Sequence, residues 1–545
     1  MRLPGPKRPA SFAQSAAFPP GLVWYARCPS QPAPVVLPVT SDETPARDAP
    51  GSPRAFAVLL GVLVLLVFGW SEWVTWTQFQ ANRIFVADAG IFDHLCNSPL
   101  HGRWMRSPVH WETGVTQFAA HYTPIFLFVT PLYLLVDHVM TYLTFQNAGL
   151  VLAAVPLAFW ARRVLKHDAA ALAVAALYLC NHFTGSIHLA NHQEALGPLG
   201  FFAMFLALER RSPRLYAAGM LWALCCKETY ALVIGLFGLH LAIESLRDRE
   251  LRGWAGWTLG VAAAWWVFSL AVIQLSGAAI YSAAGNTPIA RYHTMGDSMG
   301  SVFVYLLTHP VETLGRMLRR PVLDLLLSTG LVALADWRAV WLVVVAAGLY
   351  GVADDVLVRD LHYYYSYPAL PLLFYATVRG AGALVGWSGA RGLVARRGVA
   401  VLFAVVGVVS IWLPTRTDGL RRWPIPASEH QLLAAEVARE IPRDAPVAAQ
   451  YELFNKVPNR RIKLPVRLPY LDEVEYVFLD QTQFPADLRG EEKRAEREEV
   501  FRRLASPEWE IVFEVDGYVI LRRGAGKREK REPRISRIST KKSAD

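Results

Sequence analysis

The chain is poor in cysteine. Its five, Cys28, Cys96, Cys180, Cys225 and Cys226, follow neither a disulfide-framework spacing nor a zinc-ligand spacing, which excludes a small disulfide-stapled scaffold and a structural zinc module. Cys180, Cys225 and Cys226 fall within apolar runs and read as small packing residues. Also absent are the phosphate-cradling Walker loop, the Gly-x-Gly-x-x-Gly dinucleotide fingerprint and the His-Glu-x-x-His zinc pair. ATP-driven transport therefore has no support. No nucleic-acid motif accompanies the net charge of +10, so the excess of basic residues is not assigned to nucleic acid. No internal repeat is visible.

What the chain has is apolar length. Of its 545 residues 53% are hydrophobic and 12% aromatic, and mean hydropathy is positive. Several runs reach or approach the roughly 20 residues that cross a bilayer as a helix. Helices are the default there, because backbone polar groups in lipid must be satisfied within their own segment. The sequence therefore predicts a mainly α, polytopic helical membrane protein. Long runs fall at about 55–76, 140–160 and 254–275, and shorter ones at about 169–180, 196–208, 215–226, 231–243, 322–335, 339–352, 364–378 and 399–413. That predicts about 11 transmembrane helices. The run 123–136, opened by Pro124 and interrupted by Pro131, reads as re-entrant or interfacial, and 302–318 as an amphipathic surface helix.

Basic loops alternate with loops nearly free of charge. Arg162-Arg163, 209–214, 247–252 and 391–397 form the basic set, which the positive-inside rule places in the cytoplasm. The first apolar run starts too far into the chain for a cleaved signal and reads as an uncleaved anchor. The expected organisation is a disordered cytoplasmic tail at 1–52, a transmembrane domain at 53–415 with an outer loop at 77–122, a small α/β extracytoplasmic domain at 424–523 and a basic disordered tail at 524–545, all at the cell (inner) membrane. In the α/β domain, 428–440 predicts a helix capped by Ser428. The segments 446–450 and 475–479 predict strands, 491–504 a charged helix, and Asp516-Gly517 the turn of a hairpin.

Asp88 and Asp93 lie just after the first apolar run. A carboxylate partly withdrawn from water has a raised pKa and can act as a general base. Two together can instead hold a divalent cation against phosphate oxygens, and a loop carboxylate can simply be a cap; the spacing does not choose. Lys227-Glu228 sits between two apolar runs, where charge is expensive and marks either function or an ion pair. Lys227 would suit a phosphate as a point charge. His182, His188, His192 and Glu194 share one loop at spacings that match no zinc signature, so substrate hydrogen bonding is preferred to metal ligation. Arg291, Arg359 and His362 stand in two further clusters, and an arginine aimed at a phosphate is a reasonable role. The run Tyr363-Tyr364-Tyr365 reads as an interfacial belt.

Taken in order, Ala87-Asp88-Ala89-Gly90-Ile91-Phe92-Asp93, His121-Tyr122-Thr123-Pro124-Ile125, Asn191-His192-Gln193-Glu194-Ala195-Leu196, Lys227-Glu228 and His362-Tyr363 resemble a family of bacterial membrane proteins known as domain of unknown function 2079, over roughly 55–520. That family is similar to membrane glycosyltransferases of the C fold, whose donor is a polyprenyl-phosphate sugar and whose base is an acid in the first outer loop. The resemblance implies Asp88 or Asp93 as catalytic base. It implies a transferase moving a sugar from the lipid carrier to an acceptor at the outer face, with membrane lipid and the donor as partners and no nucleic acid. Lys227, Arg291 and Arg359 would meet phosphate, and His121, His192, Glu194, Glu228 and His362 would bind substrate. The chain departs from the family pattern at Lys227-Glu228-Thr229, where a third acid is expected, which weakens a metal role there; a divalent cation stays open as cofactor. The competing class is a non-enzymatic lipid-linked substrate transporter or assembly protein. An enzyme should gather Asp88 or Asp93 with Lys227, His192 and Arg291 in one place.

Overall fold

The longest helix, Pro53–Gln80, has 28 residues, or about 42 Å at the α-helical rise. The computed structural model describes residues 52–185, 191–283, 291–389, 392–412, 423–482 and 491–524. Almost all of the two expected tails, and His188, lie outside these ranges. Val58, Leu59, Val62, Leu65 and Leu66 of the first helix are exposed, an apolar surface of the kind that faces lipid. Its one mid-helix acid, Glu72, is not left bare: Thr144 Oγ1 donates to it at 2.6 Å and Asn147 Nδ2 at 2.7 Å from the neighbouring helix.

Among the described residues five helical spans are long and apolar enough to cross a membrane: Pro53–Gln80, Val139–Leu165, Leu251–Leu275, Leu370–Trp387 and Gly392–Ser410. Asp168–Cys180, Thr229–Glu244 and Trp337–Gly351 are apolar but shorter. Gly197–Arg210 and Pro213–Cys226 cross closely because both carry glycine: a Cβ on Gly200 would lie 2.4 Å from the Gly219 carbonyl.

Two apolar runs are not continuous helices. Within 322–335 the Arg320–Leu327 helix stops, the chain turns left-handed at Gly330 and Leu331 (φ 66° and 60°), and Val332–Ala335 is a 3₁₀ turn, so the crossing expected there is not a single helix. Within 123–136, Pro131 divides the helical turn Phe126–Val129 from the 3₁₀ turn Thr130–Leu134. The expected amphipathic helix at 302–318 is two helices, Met299–Thr308 and Pro310–Met317, divided where Pro310 follows His309.

The C-terminal part is a five-stranded sheet with helices. Its strands are β1 (Val447–Ala449), β2 (Lys463–Pro465), β3 (Tyr476–Asp480), β4 (Trp509–Val515) and β5 (Tyr518–Arg523), in the order β2-β1-β3-β5-β4. β1 runs parallel to β2 and β3, and β5 antiparallel to β3 and β4. The β4–β5 turn is Asp516-Gly517 with φ 49° and 82°, the two positive values a tight hairpin turn requires. Ser428 and Gln431 form a capping box on the Glu429–Val437 helix. That helix covers one face of the sheet, and Val500 and Leu504 of Glu491–Leu504 cover the other.

The loop after the first helix completes this second core. Trp111, 3% exposed, packs with Leu464, Tyr470 and Leu479, and the Tyr470 hydroxyl donates to the Val109 carbonyl at 2.8 Å. Asn455 Nδ2 donates to the carbonyls of Ile84 and Phe85 at 2.8 and 2.9 Å. Loop and domain therefore share apolar and polar contacts and pack as one body.

Candidate functional site

The first helix ends at Gln80, and Asn82 takes the left-handed conformation (φ 54°) that turns the chain away. A single π-type turn, Val86–Gly90, then carries Asp88 with φ 56° before the short Ile91–Asn97 helix begins. Left-handed backbone and π-turns are costly for an ordinary residue and concentrate at functional sites. The turn is held from outside: a Cβ on Gly90 would lie 2.9 Å from the Phe454 ring.

The two aspartates have different surroundings. Asp93 is sealed from water. Its Oδ1 accepts from the Tyr133 hydroxyl at 2.8 Å and from Asn459 Nδ2 at 3.3 Å, and its Oδ2 faces the Lys463 ammonium at 3.2 Å. Both oxygens are thus engaged, and the two acids do not present themselves jointly to one cation. Asp88 is only partly covered. Burial raises its pKa from the ordinary 3.8 to about 6, against the opposing pull of Lys227.

Lys227 belongs to a second chain of contacts. It occupies the extended joint between Pro213–Cys226 and Thr229–Glu244 and donates to Glu194 Oε1 at 2.5 Å. The other Glu194 oxygen is bonded to His192 Nδ1, and the Glu194 carbonyl accepts from the Tyr230 hydroxyl at 2.6 Å. The next residue, Glu228, accepts from His121 Nδ1 at 2.8 Å and from the Tyr122 amide at 3.0 Å. The Ile125 amide donates to the Cys225 carbonyl at 2.9 Å, which pins the 121–125 segment to the same joint.

Aromatic rings close the gaps. His192 stacks on Tyr364 with centroids 3.7 Å apart and planes at 14°, and meets Phe92 edge-on at 4.8 Å. Lys227 Nζ lies 5.7 Å from the Tyr364 ring, and the Arg291 guanidinium 5.6 Å from that of Tyr365. Burial, then the charges of Lys227, His121 and Arg291, lowers His192 well below its ordinary pKa, which favours the neutral ring. Asp88 lies within electrostatic reach of Lys227, Tyr142 and Tyr364.

Asp88, His121, His192, Glu194, Lys227, Glu228 and Arg291 thus share one neighbourhood at one end of the helices. Arg359 instead pairs with Asp360 at 3.3 Å and adjoins Arg319. His362 is the residue before the Tyr363–Ser366 turn, its ring 6.2 Å from that of Tyr363. Sequence reasoning assigned Tyr364 to an interfacial belt and overlooked Tyr133, Asn459 and Lys463; the charge of Lys463 between Ile462 and Leu464 was the one available signal. Among the described residues no three His, Cys, Asp or Glu side chains are grouped to hold a metal ion.

Apolar helices of spanning length, capped at one end by buried charge, define a multi-pass membrane protein. The family within that class is clear: the chain belongs to the family described as predicted membrane protein (DUF2079), whose model matches residues 87–520, and whose function is unknown. A search of curated proteins finds no match to the chain.

Proposed function

We propose that this protein is a membrane glycosyltransferase that moves a sugar from a polyprenyl-phosphate carrier to an acceptor hydroxyl at the outer face of the membrane. The shorter apolar helices and the broken segment 320–335 cross as well, giving about eleven spans, and the charge alternation of the loops supports an outward Asp88 end with the C-terminal domain on the same side. Asp88 takes the proton of the acceptor hydroxyl, the acceptor oxygen attacks the anomeric carbon, and the bond from that carbon to the phosphate oxygen breaks. The carrier phosphate leaves with the electron pair, met by Lys227 and Arg291. His121, His192, Glu194 and Glu228 hold the cluster and the substrate in place. Arg359 and His362 would meet substrate from the neighbouring loop.

The observation that carries this reading is Asp88 itself: a strained, partly covered carboxylate whose pKa burial raises to about 6, within electrostatic reach of the buried cation Lys227. Asp93, fully engaged with Lys463, Tyr133 and Asn459, is given a structural role here. The test is transfer from defined polyprenyl-phosphate sugars by the purified protein. Asp88→Asn should lower the rate at least about 100-fold, the usual worth of a general base; a rate equal to wild type would overturn the assignment.

One observation favours transport instead. At the opposite ends of the same helices lies a polar cavity of about 1160 Å³, lined by Trp160, Glu244, Asp336, Tyr375 and Arg379 among others. Counterflow of lipid-linked sugar in vesicles by an Asp88→Asn variant with no transferase activity would support that reading.

A further inference from the structure

A second chamber, of about 520 Å³, lies in the seam between the membrane helices and the C-terminal domain, a volume typical of small-molecule sites. Its walls include Trp76 and Phe79 from the end of the first helix, His138, and Lys456, Arg439 and Arg443 from the domain. Lys456 is 7% exposed. Its ammonium donates to the Gln80 carbonyl at 3.3 Å and lies 4.2 Å from the Phe79 ring. Among the described residues no carboxylate pairs with Lys456, Arg439 or Arg443. Two acids also reach the chamber but are already engaged: Asp93 faces Lys463, and Asp137 accepts from Asn97 at 2.8 Å and Asn459 at 3.0 Å. Glu436 is the remaining acid of the lining, and the four cations Arg439, Arg443, Lys456 and Lys463 against the three acids leave it positive by one. Burial alone lowers the Lys456 pKa, to about 8.

A buried ammonium without an anion is expensive, and proteins that keep one generally supply a partner. From Lys456, Arg439 and Arg443 around this chamber we infer that it is a binding site for a phosphate group, separate from the Asp88 cluster and independent of the transferase reading. Trp70, Trp73 and Trp76 are exposed beside it on the first helix, at the level where aromatic belts meet lipid headgroups. The phosphate of an anionic phospholipid therefore reaches the chamber from the membrane surface, and inorganic phosphate offers the same chemistry from solution. The wall of the chamber is also the brace of the Asp88 turn: Asn455, beside Lys456, holds the carbonyls of Ile84 and Phe85.

The experiment uses the full chain in detergent, titrated separately with dioctanoyl phosphatidic acid, dioctanoyl phosphatidylcholine and inorganic phosphate, with binding read by native mass spectrometry and Tm by intrinsic fluorescence. Phosphatidic acid should bind the wild type and raise its Tm, and Lys456→Met should weaken it about tenfold or more, as loss of a charge-assisted contact does. Without ligand, Lys456→Met should melt higher than wild type, because it removes an unpaired buried charge. Arg439→Gln/Arg443→Gln, at exposed positions, should weaken binding and leave the unliganded Tm unchanged, and it carries the test should Lys456→Met fail to fold. Binding of inorganic phosphate but not phosphatidic acid would support the site and assign it to a soluble anion. Wild type that binds neither, or cation variants that bind as wild type does, would overturn the inference.

Discussion

Lys463→Met probes the seam most directly. The Lys463 ammonium lies 3.2 Å from Asp93 Oδ2 and 2.7 Å from Asn459 Oδ1, and both charged side chains are 1% exposed. Methionine fills most of the stem's volume, so the cavity cost is small. What remains is a carboxylate sealed from water with only Tyr133 and Asn459 as donors. Removing one partner of a buried pair costs about 3–5 kcal/mol, and at about 2–4 °C per kcal/mol for a large cooperative unit the melting temperature should fall by roughly 6–20 °C. Asp93→Asn/Lys463→Met removes both charges together and should recover more than half of that loss, because an intact buried pair is near neutral against uncharged replacements. Intrinsic fluorescence of the purified variants measures both. A single variant melting within about 1 °C of wild type, well below the expected fall, or a double variant no better than the sum of the singles, would refute the buried-pair account. The double variant also tests the division of labour between the aspartates: it should keep transferase activity below its Tm, and loss of activity with the fold intact would return Asp93 to the chemistry.

Lys227 favours the ionised form of Asp88, so Lys227→Met should move the acid limb of the rate profile from about pH 6 to higher pH; an unmoved limb would detach the two residues. His430 is bonded to Asp480 at 2.9 Å and to Asp516 at 2.8 Å. Burial opposes its charge, but these bonds prevail and raise its pKa. A raised histidine pKa contributes stability that is complete below the ordinary value of about 6.5 and lost as pH rises through the raised one. The Tm gap between wild type and His430→Gln should therefore be largest near pH 5.5, about one unit below that ordinary value, and shrink by about pH 9, about 2.5 units above it; a gap that grows with pH would contradict the ion pairs. Gly90→Ala forces a Cβ to 2.9 Å from the Phe454 ring and 3.0 Å from Asn455 Oδ1. It should cost about 1–3 kcal/mol, the range for overpacking, and an unchanged Tm would show that the seam yields.

Much of this was legible in local pattern. Most of the apolar runs became helices, although the run at 364–378 became a 3₁₀ turn, Tyr363–Ser366, followed by the Leu370–Trp387 helix. The Asp516-Gly517 hairpin and the Ser428 cap fell where turn and cap chemistry put them, because those signals are decided within a few residues. The run at 322–335 failed because the left-handed turn at Gly330 and Leu331 is set by tertiary packing, not hydropathy. β2 was missed because Lys463-Leu464-Pro465 is three residues with a proline, and only its pairing with β1 makes it a strand. For the site, residue type and order pointed to Asp88, His121, His192, Lys227 and Arg291. What the sequence could not separate was Asp88 from Asp93: the difference is Lys463, 370 residues away.

That separation bears on how the protein is made. Contacts so distant along the chain form late, since closing so large a loop delays them and synthesis proceeds from the N-terminus. The first helix and the Asp88 turn leave the ribosome hundreds of residues before Phe454, Asn455 and Lys463 exist to brace them. A nascent or truncated chain can therefore insert its helices with the site still unformed. Competence is conferred only when the last domain docks, so premature termination before residue 454 should leave membrane-inserted but inert protein.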